Sequence, residues 1–280
     1  MTEDSPKSSI LFPYDFSEVS DYALKHTIVN AQRFGYDIKI LNILDSRTRA
    51  YMKANNIKED GLKEVLLGMC NQIMKETPKV KAEYHLRPGS IKTMCKLATE
   101  FGVRYMVLGI DEPKSNATEI LEVTAFSPVP VFVIQQGAAI TEFKHLLFPM
   151  DDFHATLQKA GWTKRIAKIT GAKVSIFSIN QTRPDRLYKH KKMVRQLEEF
   201  FDKFNIKSET HFAKGKISEF PDEALAFGLE AKCDCFIIMH RPKKRFSSVA
   251  TIDKKLMFNE GKIPVMCVNL RDVGVAAGFN

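Results

Sequence analysis

Two kinds of hydrophobic stretch alternate along this chain: short apolar runs, and longer segments with apolar residues at helical spacing. The run Ile10-Leu11-Phe12 stops at Pro13 and delivers Asp15 to a loop, as a buried strand does. Ser17 predicts a helix N-cap, with Glu18 and Asp21 in the first turn where carboxylates favour the helix dipole. Leu24, Thr27, Ile28, Ala31 and Phe34 then share one stripe, which Gly35 closes. Further strands are predicted over 37–44, 80–86, 105–109 and 129–134. Between them, Leu62, Val65, Leu66, Met69 and Ile73 predict one helix after a polar loop through Asn55 and Asn56. Ile91, Met94, Cys95 and Ala98 predict a second, and residues 115–126 a third. Strict alternation of strand and helix predicts a parallel sheet covered on both faces.

The second half repeats this order. Leu146-Leu147-Phe148-Pro149 restates the opening run, with Asp151 in the place of Asp15 and Gly171 in that of Gly35, both at an offset of 136. His211 and Gly215 match His85 and Gly89 at an offset of 126, where Gly228 also matches Gly102, and Pro264-Val265 matches Pro130-Val131 at 134. Drifting offsets are what insertions in loops produce. Strands are predicted to Pro149, over 173–179, through His211, and over 235–239 and 265–268. Helices are predicted up to Gly171, along Leu187, Val194, Leu197, Phe201 and Phe204, and over 218–229 and 249–258. The pattern predicts two domains, 1–138 and 139–280, the second a diverged copy of the first.

Composition narrows the reading further. No run approaches the roughly 18 apolar residues of a membrane span, and the polar start predicts no signal peptide, so a cytoplasmic protein without a membrane partner is expected. The five cysteines lack metal-ligand spacing and read as buried thiols. The net charge of +9 is concentrated in the second half, where 25 basic residues face 16 acidic ones. Those bases lack aromatic interleaving, so solvated helix faces account for them and nucleic acid is not the expected partner.

The segments "ILFPYDFSEVSDYALKHTIVNAQRFGYDIKILNIL", "RPGSIKTMCKLATEFGVRYMVLG" and "SPVPVFVI" resemble a universal stress protein domain, and the second half resembles a more diverged copy. The resemblance implies an α/β fold of two tandem Rossmann-like domains of the adenine nucleotide alpha hydrolase type. Each would hold a five-stranded parallel sheet of order 3-2-1-4-5. It also implies pairing of the two domains through their last strands, 129–134 and 265–268, and leaves a homodimer and an unidentified protein partner open.

Many members of that family bind ATP in a glycine-rich loop after the fourth strand, where backbone amides cradle phosphate. On the family pattern, Pro13, Asp15, Gly109 and Thr118 would line such a site. The loop from Ile110 to Ala117 is short, holds no glycine and carries Asp111 and Glu112, whose charge repels phosphate. In the second copy His240 stands where glycine is expected, followed by Arg241, Lys243, Lys244 and Arg245, a basic run that would meet a polyanion as point charges. The expectation is a stress-response binding or regulatory protein without a competent ATP phosphate loop, and without a cofactor, a metal or catalytic residues. An ATP-binding protein with nucleotide in the first domain is the alternative, and a polyanion-binding protein through the basic second domain is another. Asp151, Asp152, His154 and His240 fall near the rim of the second sheet and are of metal-ligating type, but the two acids serve equally as a helix cap.

Overall fold

Burial of Ile10, Leu11 and Phe12 on consecutive positions marks β1 (Ser9–Pro13) as a central strand, because a parallel sheet is covered on both faces. The structure is a computed structural model and describes residues 7–111, 116–240 and 251–269. Glu112, Lys114, Ser115 and the basic residues Arg241, Lys243, Lys244 and Arg245 lie outside the described residues. The chain divides into two units, Met1–Ile140 and Thr141–Asn280.

In the first unit β1 is followed by α1 (Glu18–Phe34), β2 (Asp37–Ile43), α2 (Ser46–Ala54), α3 (Glu59–Glu76) and β3 (Ala82–Arg87). Then come α4 (Ile91–Glu100), β4 (Tyr105–Ile110), α5 (Ala117–Phe126) and β5 (Val131–Gln135). Parallel pairing gives the order β3-β2-β1-β4-β5, with Ile10 opposite Ile38 on one side and Tyr105 on the other. The second unit runs β6 (His145–Met150), a 3₁₀ turn (His154–Lys159), α6 (Ala160–Thr170), β7 (Lys173–Ser178), α7 (Pro184–Lys203) and β8 (Ser208–Phe212). It continues with α8 (Phe220–Glu230), β9 (Cys235–His240), α9 (Thr251–Met257) and β10 (Val265–Asn269). Its order is β8-β7-β6-β9-β10, the same topology. Leu146 faces Val174 and Cys235 as Ile10 faces Ile38 and Tyr105. The α/β class and the strand order agree with the sequence reading. Among the described residues no helix is long and apolar enough to cross a membrane.

Three details differ from the pattern-based expectation. Residues 46–54 form α2, not loop; only Thr48 of this polar helix is buried, so it shows no apolar stripe. The helix expected to end at Gly171 begins only at Ala160, ten residues beyond the end of β6 and behind the 3₁₀ turn. Gly228 is not the counterpart of Gly102: Gly102 follows α4 with φ +58°, whereas Gly228 lies inside α8 against the Phe236 ring. Lys232, with φ +53° after α8, takes the left-handed place of Gly102. Gly35 and Gly171 do correspond, ending α1 and α6 with φ of 68° and 74°.

The fit of α1 against β4 is close. A Cβ on Gly109 would stand 2.7 Å from Val19 Cγ2 and 2.9 Å from the Val19 carbonyl oxygen, so the glycine is required by helix packing. Gly109→Ala is expected to lower stability by about 1–3 kcal/mol, read as a lower urea midpoint with unchanged slope. Gly68→Ala, whose Cβ meets nothing within 4 Å on α3, is expected to shift the midpoint the other way. His26, buried on α1 beside the Tyr22 ring, provides a pH test. Burial pushes its pKa from 6.5 down to about 4, with the Ala138 carbonyl a smaller opposing influence. A lowered folded-state pKa means the unfolded chain takes up the proton first. Stability from this residue is therefore complete above pH 6.5 and is lost as pH falls toward 4. The difference in stability between wild type and His26→Leu, measured from pH 7.5 to 4.5, should shrink over that window.

Candidate functional site

The carboxyl ends of β1, β2 and β4 meet the amino ends of α1, α4 and α5 around an open pocket of about 90 Å³. Open parallel sheets bind ligands at this rim. Pro13, Asp15 and Gly109 line the pocket, whereas Thr118 is exposed on the first turn of α5 and is not part of the lining. Arg47, Glu119, Asn116, Asp45 and Ser90 join the lining, and none of them was singled out from the sequence.

Asp15 is the centre of this arrangement. Phe16 adopts a left-handed φ of 64°, which turns the chain so that the Ser17 amide donates to Asp15 Oδ1 at 3.1 Å. The Ser17 and Ser20 hydroxyls donate to the same oxygen, each at 2.5 Å. Ser17 also caps α1, its Oγ accepting from the Ser20 amide at 3.3 Å. Arg47 Nη1 donates to Asp15 Oδ2 at 3.0 Å. Burial pushes the Asp15 pKa up, but the hydrogen bonds from Ser17, Ser20 and Arg47 outweigh it and hold the carboxyl below its usual value.

Arg47 reaches this position because α2 is anchored at its start. Asp45 caps α2, its Oδ1 accepting from the Thr48 amide at 3.0 Å. Asn42 at the end of β2 donates to the Tyr14 carbonyl at 2.7 Å and to Thr48 Oγ1 at 3.1 Å. The Phe16 ring stacks on Tyr51 of α2, centroids 3.9 Å apart. The other nitrogen of Arg47 binds Glu119 in the first turn of α5. One guanidinium thus bridges the carboxylates of two loops. Asn116 closes the far side: its Nδ2 donates to the Gly109 carbonyl at 2.9 Å, its Oδ1 accepts from the Asp111 amide at 3.3 Å, and its own amide donates to Asp111 Oδ1 at 3.2 Å. The signal for Arg47 was Asp45 followed three residues later by Thr48, a helix cap at the end of a strand.

The second unit builds this corner differently. Phe153 stands where Ser17 would cap, and it makes no side-chain cap bond, so the chain tightens into the 3₁₀ turn. Asp151 Oδ1 accepts from the Phe153 amide at 3.1 Å. Asp152 accepts from Gln181 at 3.0 Å and from Arg186 at 2.8 Å. Lys159 is buried in the place of Ala23, donating to the Pro149 carbonyl at 2.5 Å over the Phe148 ring. Ser178 and His190 form a buried pair at 2.8 Å. Among the described residues no three His, Cys, Asp or Glu side chains converge as a metal site.

With this geometry in hand, the comparisons with known proteins are informative. Residues 8–117 match the model of the universal stress protein family. The whole chain is similar to a universal stress protein from Archaeoglobus fulgidus: 18% identity over 94% of this chain and 97% of that one, with a TM-score of 0.70. It is also similar to a protein of Pseudomonas aeruginosa, 12% identical over 94% of this chain and 93% of that one, with a TM-score of 0.64. A universal stress protein from Archaeoglobus fulgidus solved in complex with dAMP is 19% identical, spanning 46% of this chain and 99% of that one with a TM-score of 0.34. No curated protein matches the sequence. Residues 8–117 thus carry the match to the universal stress protein family, and the second unit repeats the strand order of the first.

Proposed function

We propose that this chain is a non-catalytic binding protein of the stress response whose first-unit pocket does not take a nucleoside triphosphate. The observation that carries this reading is Arg47 held between Asp15 and Glu119. A helix N-terminus attracts phosphate when its amides and its positive end are unmet. Here the amino end of α1 is supplied by Ser17, Asp15, Glu18 and Asp21, and that of α5 by Glu119. Among the described residues that line the pocket Arg47 is the one cation, and two carboxylates already neutralise it, so an incoming polyphosphate meets net negative charge there. The volume of about 90 Å³ is small beside the roughly 300–1,000 Å³ of sites that enclose a drug-sized ligand. Ile91, Met94, Leu108 and Ile120 give the pocket an apolar floor, which suits a small, weakly charged organic ligand.

A second reading has one observation in its favour. Arg47 is about half exposed, and release from its two carboxylates would turn it toward a phosphate at the ends of α1 and α5, with ATP in the first unit. Titration calorimetry with ATP and magnesium separates the two. On the reading preferred here, wild type gives no binding heat at millimolar ATP, protein purified without added nucleotide carries none, and Arg47→Ala changes neither result because it leaves two bare carboxylates. One nucleotide per chain, or micromolar affinity that Arg47→Ala abolishes, would establish the second reading instead.

A further inference from the structure

The two units have equivalent helices between their second and third strands, α3 in the first and α7 in the second, and their surfaces carry opposite charge. Along α3 there are two basic and four acidic residues; along α7 there are six and four. The order along each helix matters more than the totals. α3 begins with Glu59 and Asp60 and has Lys75 in its last turn, as the helix dipole favours. In α7, Arg186, Lys189, Lys191, Lys192 and Arg195 gather in the first twelve residues, and Glu198, Glu199 and Asp202 follow toward the carboxyl end. Asp185 in the first turn and Lys203 in the last suit the dipole, so the basic cluster between them is an arrangement that helix stability does not require. It also sets Lys189 against Lys192 and Lys191 against Arg195, like charges at neighbouring helical positions.

Internal pairing relieves only part of this. Arg186 binds Asp152 and Arg195 binds Glu199 at 2.7 Å, but among the described residues Lys189, Lys191 and Lys192 form no ion pair. All three are exposed, and Tyr188 beside them is 77% exposed. Tyr188, Lys191, Lys192 and Arg195 fall at i, i+3, i+4 and i+7, one stripe on the outer face. The opposite face is occupied: His190, Met193, Val194, Leu197 and Phe201 are buried in the unit's own core. An aromatic among the bases, which the sequence reading did not recognise, is therefore present on this face.

We propose that the outer face of α7 is a binding site for the sugar–phosphate backbone of nucleic acid, with Lys189, Lys191 and Lys192 on phosphates and Tyr188 on an unpaired base. Closely spaced cations without partners fit a line of phosphates, and an exposed ring beside them fits base stacking. An anionic membrane surface fits less well, because α7 has no apolar face left to insert. The proposal concerns the second unit and stands apart from the nucleotide reading of the first-unit pocket.

The test is fluorescence anisotropy of the full chain with labelled oligo-dT and with a duplex of equal length, at 50 and 200 mM salt. Neutralising three or four phosphates predicts affinity roughly 20- to 150-fold weaker at the higher salt. The triple variant Lys189→Gln, Lys191→Gln, Lys192→Gln should lose at least tenfold in affinity at 50 mM salt, with a melting temperature equal to or above wild type because like-charge repulsion is relieved. A charge-matched control, Lys53→Gln with Lys214→Gln and Lys216→Gln, should bind as wild type does. Tyr188→Ala should weaken oligo-dT binding at least fivefold and duplex binding less. No binding by wild type at tens of micromolar would overturn the proposal, and so would equal loss in the control triple. Binding to phosphatidylserine vesicles without binding to either oligonucleotide would overturn it in favour of a membrane surface.

Discussion

A carboxylate at the end of a buried strand has to be neutralised or it will take up a proton, and the corner of the first unit is built around that requirement at Asp15. Two hydroxyls, one amide and one guanidinium answer it. Each donor fixes a different part of the chain. Ser17 and Ser20 set the entry of α1, the left-handed turn at Phe16 brings the Ser17 amide round, and Arg47 requires α2 to start at Ser46 under the Asp45 cap. Because Arg47 continues to Glu119, the entry of α5 is tied to the same carboxylate. The exposed ion pairs add little stability individually. Their effect is positional: they decide which charges face the pocket, and among the described residues they leave no unpaired cation in its lining.

The second unit keeps the aspartate and replaces the capping serine with Phe153. Phe153 cannot cap as Ser17 does, Asp151 turns to the nearest amide, and the first helical turn becomes 3₁₀. The change propagates to Lys159, which occupies the place where the first unit has Ala23 against Gly109. A long side chain cannot lie in a contact where an alanine methyl is already within 3.3 Å of an added Cβ, so the helix enters its sheet on different terms. Lys159 turns its ammonium back to the Pro149 carbonyl and rests over the Phe148 ring. Two copies with the same strand order thus have rims of different chemistry, since identical topology does not carry identical sites.

Much of this fold was legible because buried parallel strands are short apolar runs, and their repetition at offsets drifting between 126 and 136 placed ten strands in two sets. What escaped was governed by polar groups. α2 buries only Thr48, so periodicity had nothing to detect, and the arginine it positions went unnoticed with it. The pairing of Gly102 with Gly228 failed because residues inserted after Gly215 shift the frame before α8, and an identical residue at a constant offset was mistaken for an equivalent one. At the site, Pro13, Asp15 and Gly109, which the family resemblance implied, line the pocket at the strand ends. Gly109, however, is explained by its contact with Val19, a packing constraint that no spacing along the chain reveals.

The same contrast explains why α7 is informative. A core helix face is constrained by packing, so α3 and α7 both bury apolar residues at helical spacing; their outer faces are not constrained in this way and can diverge. A like-charge pair at neighbouring helical positions costs only about 0.2–0.5 kcal/mol. A domain with a margin of roughly 5–15 kcal/mol tolerates that without compensation. The crowding of bases on α7 is therefore cheap enough to persist, although helix stability does not call for it. A polyanion held along Lys189, Lys191 and Lys192 would lower the repulsion that the isolated helix keeps, so a cluster unfavourable to the free protein becomes favourable in the complex.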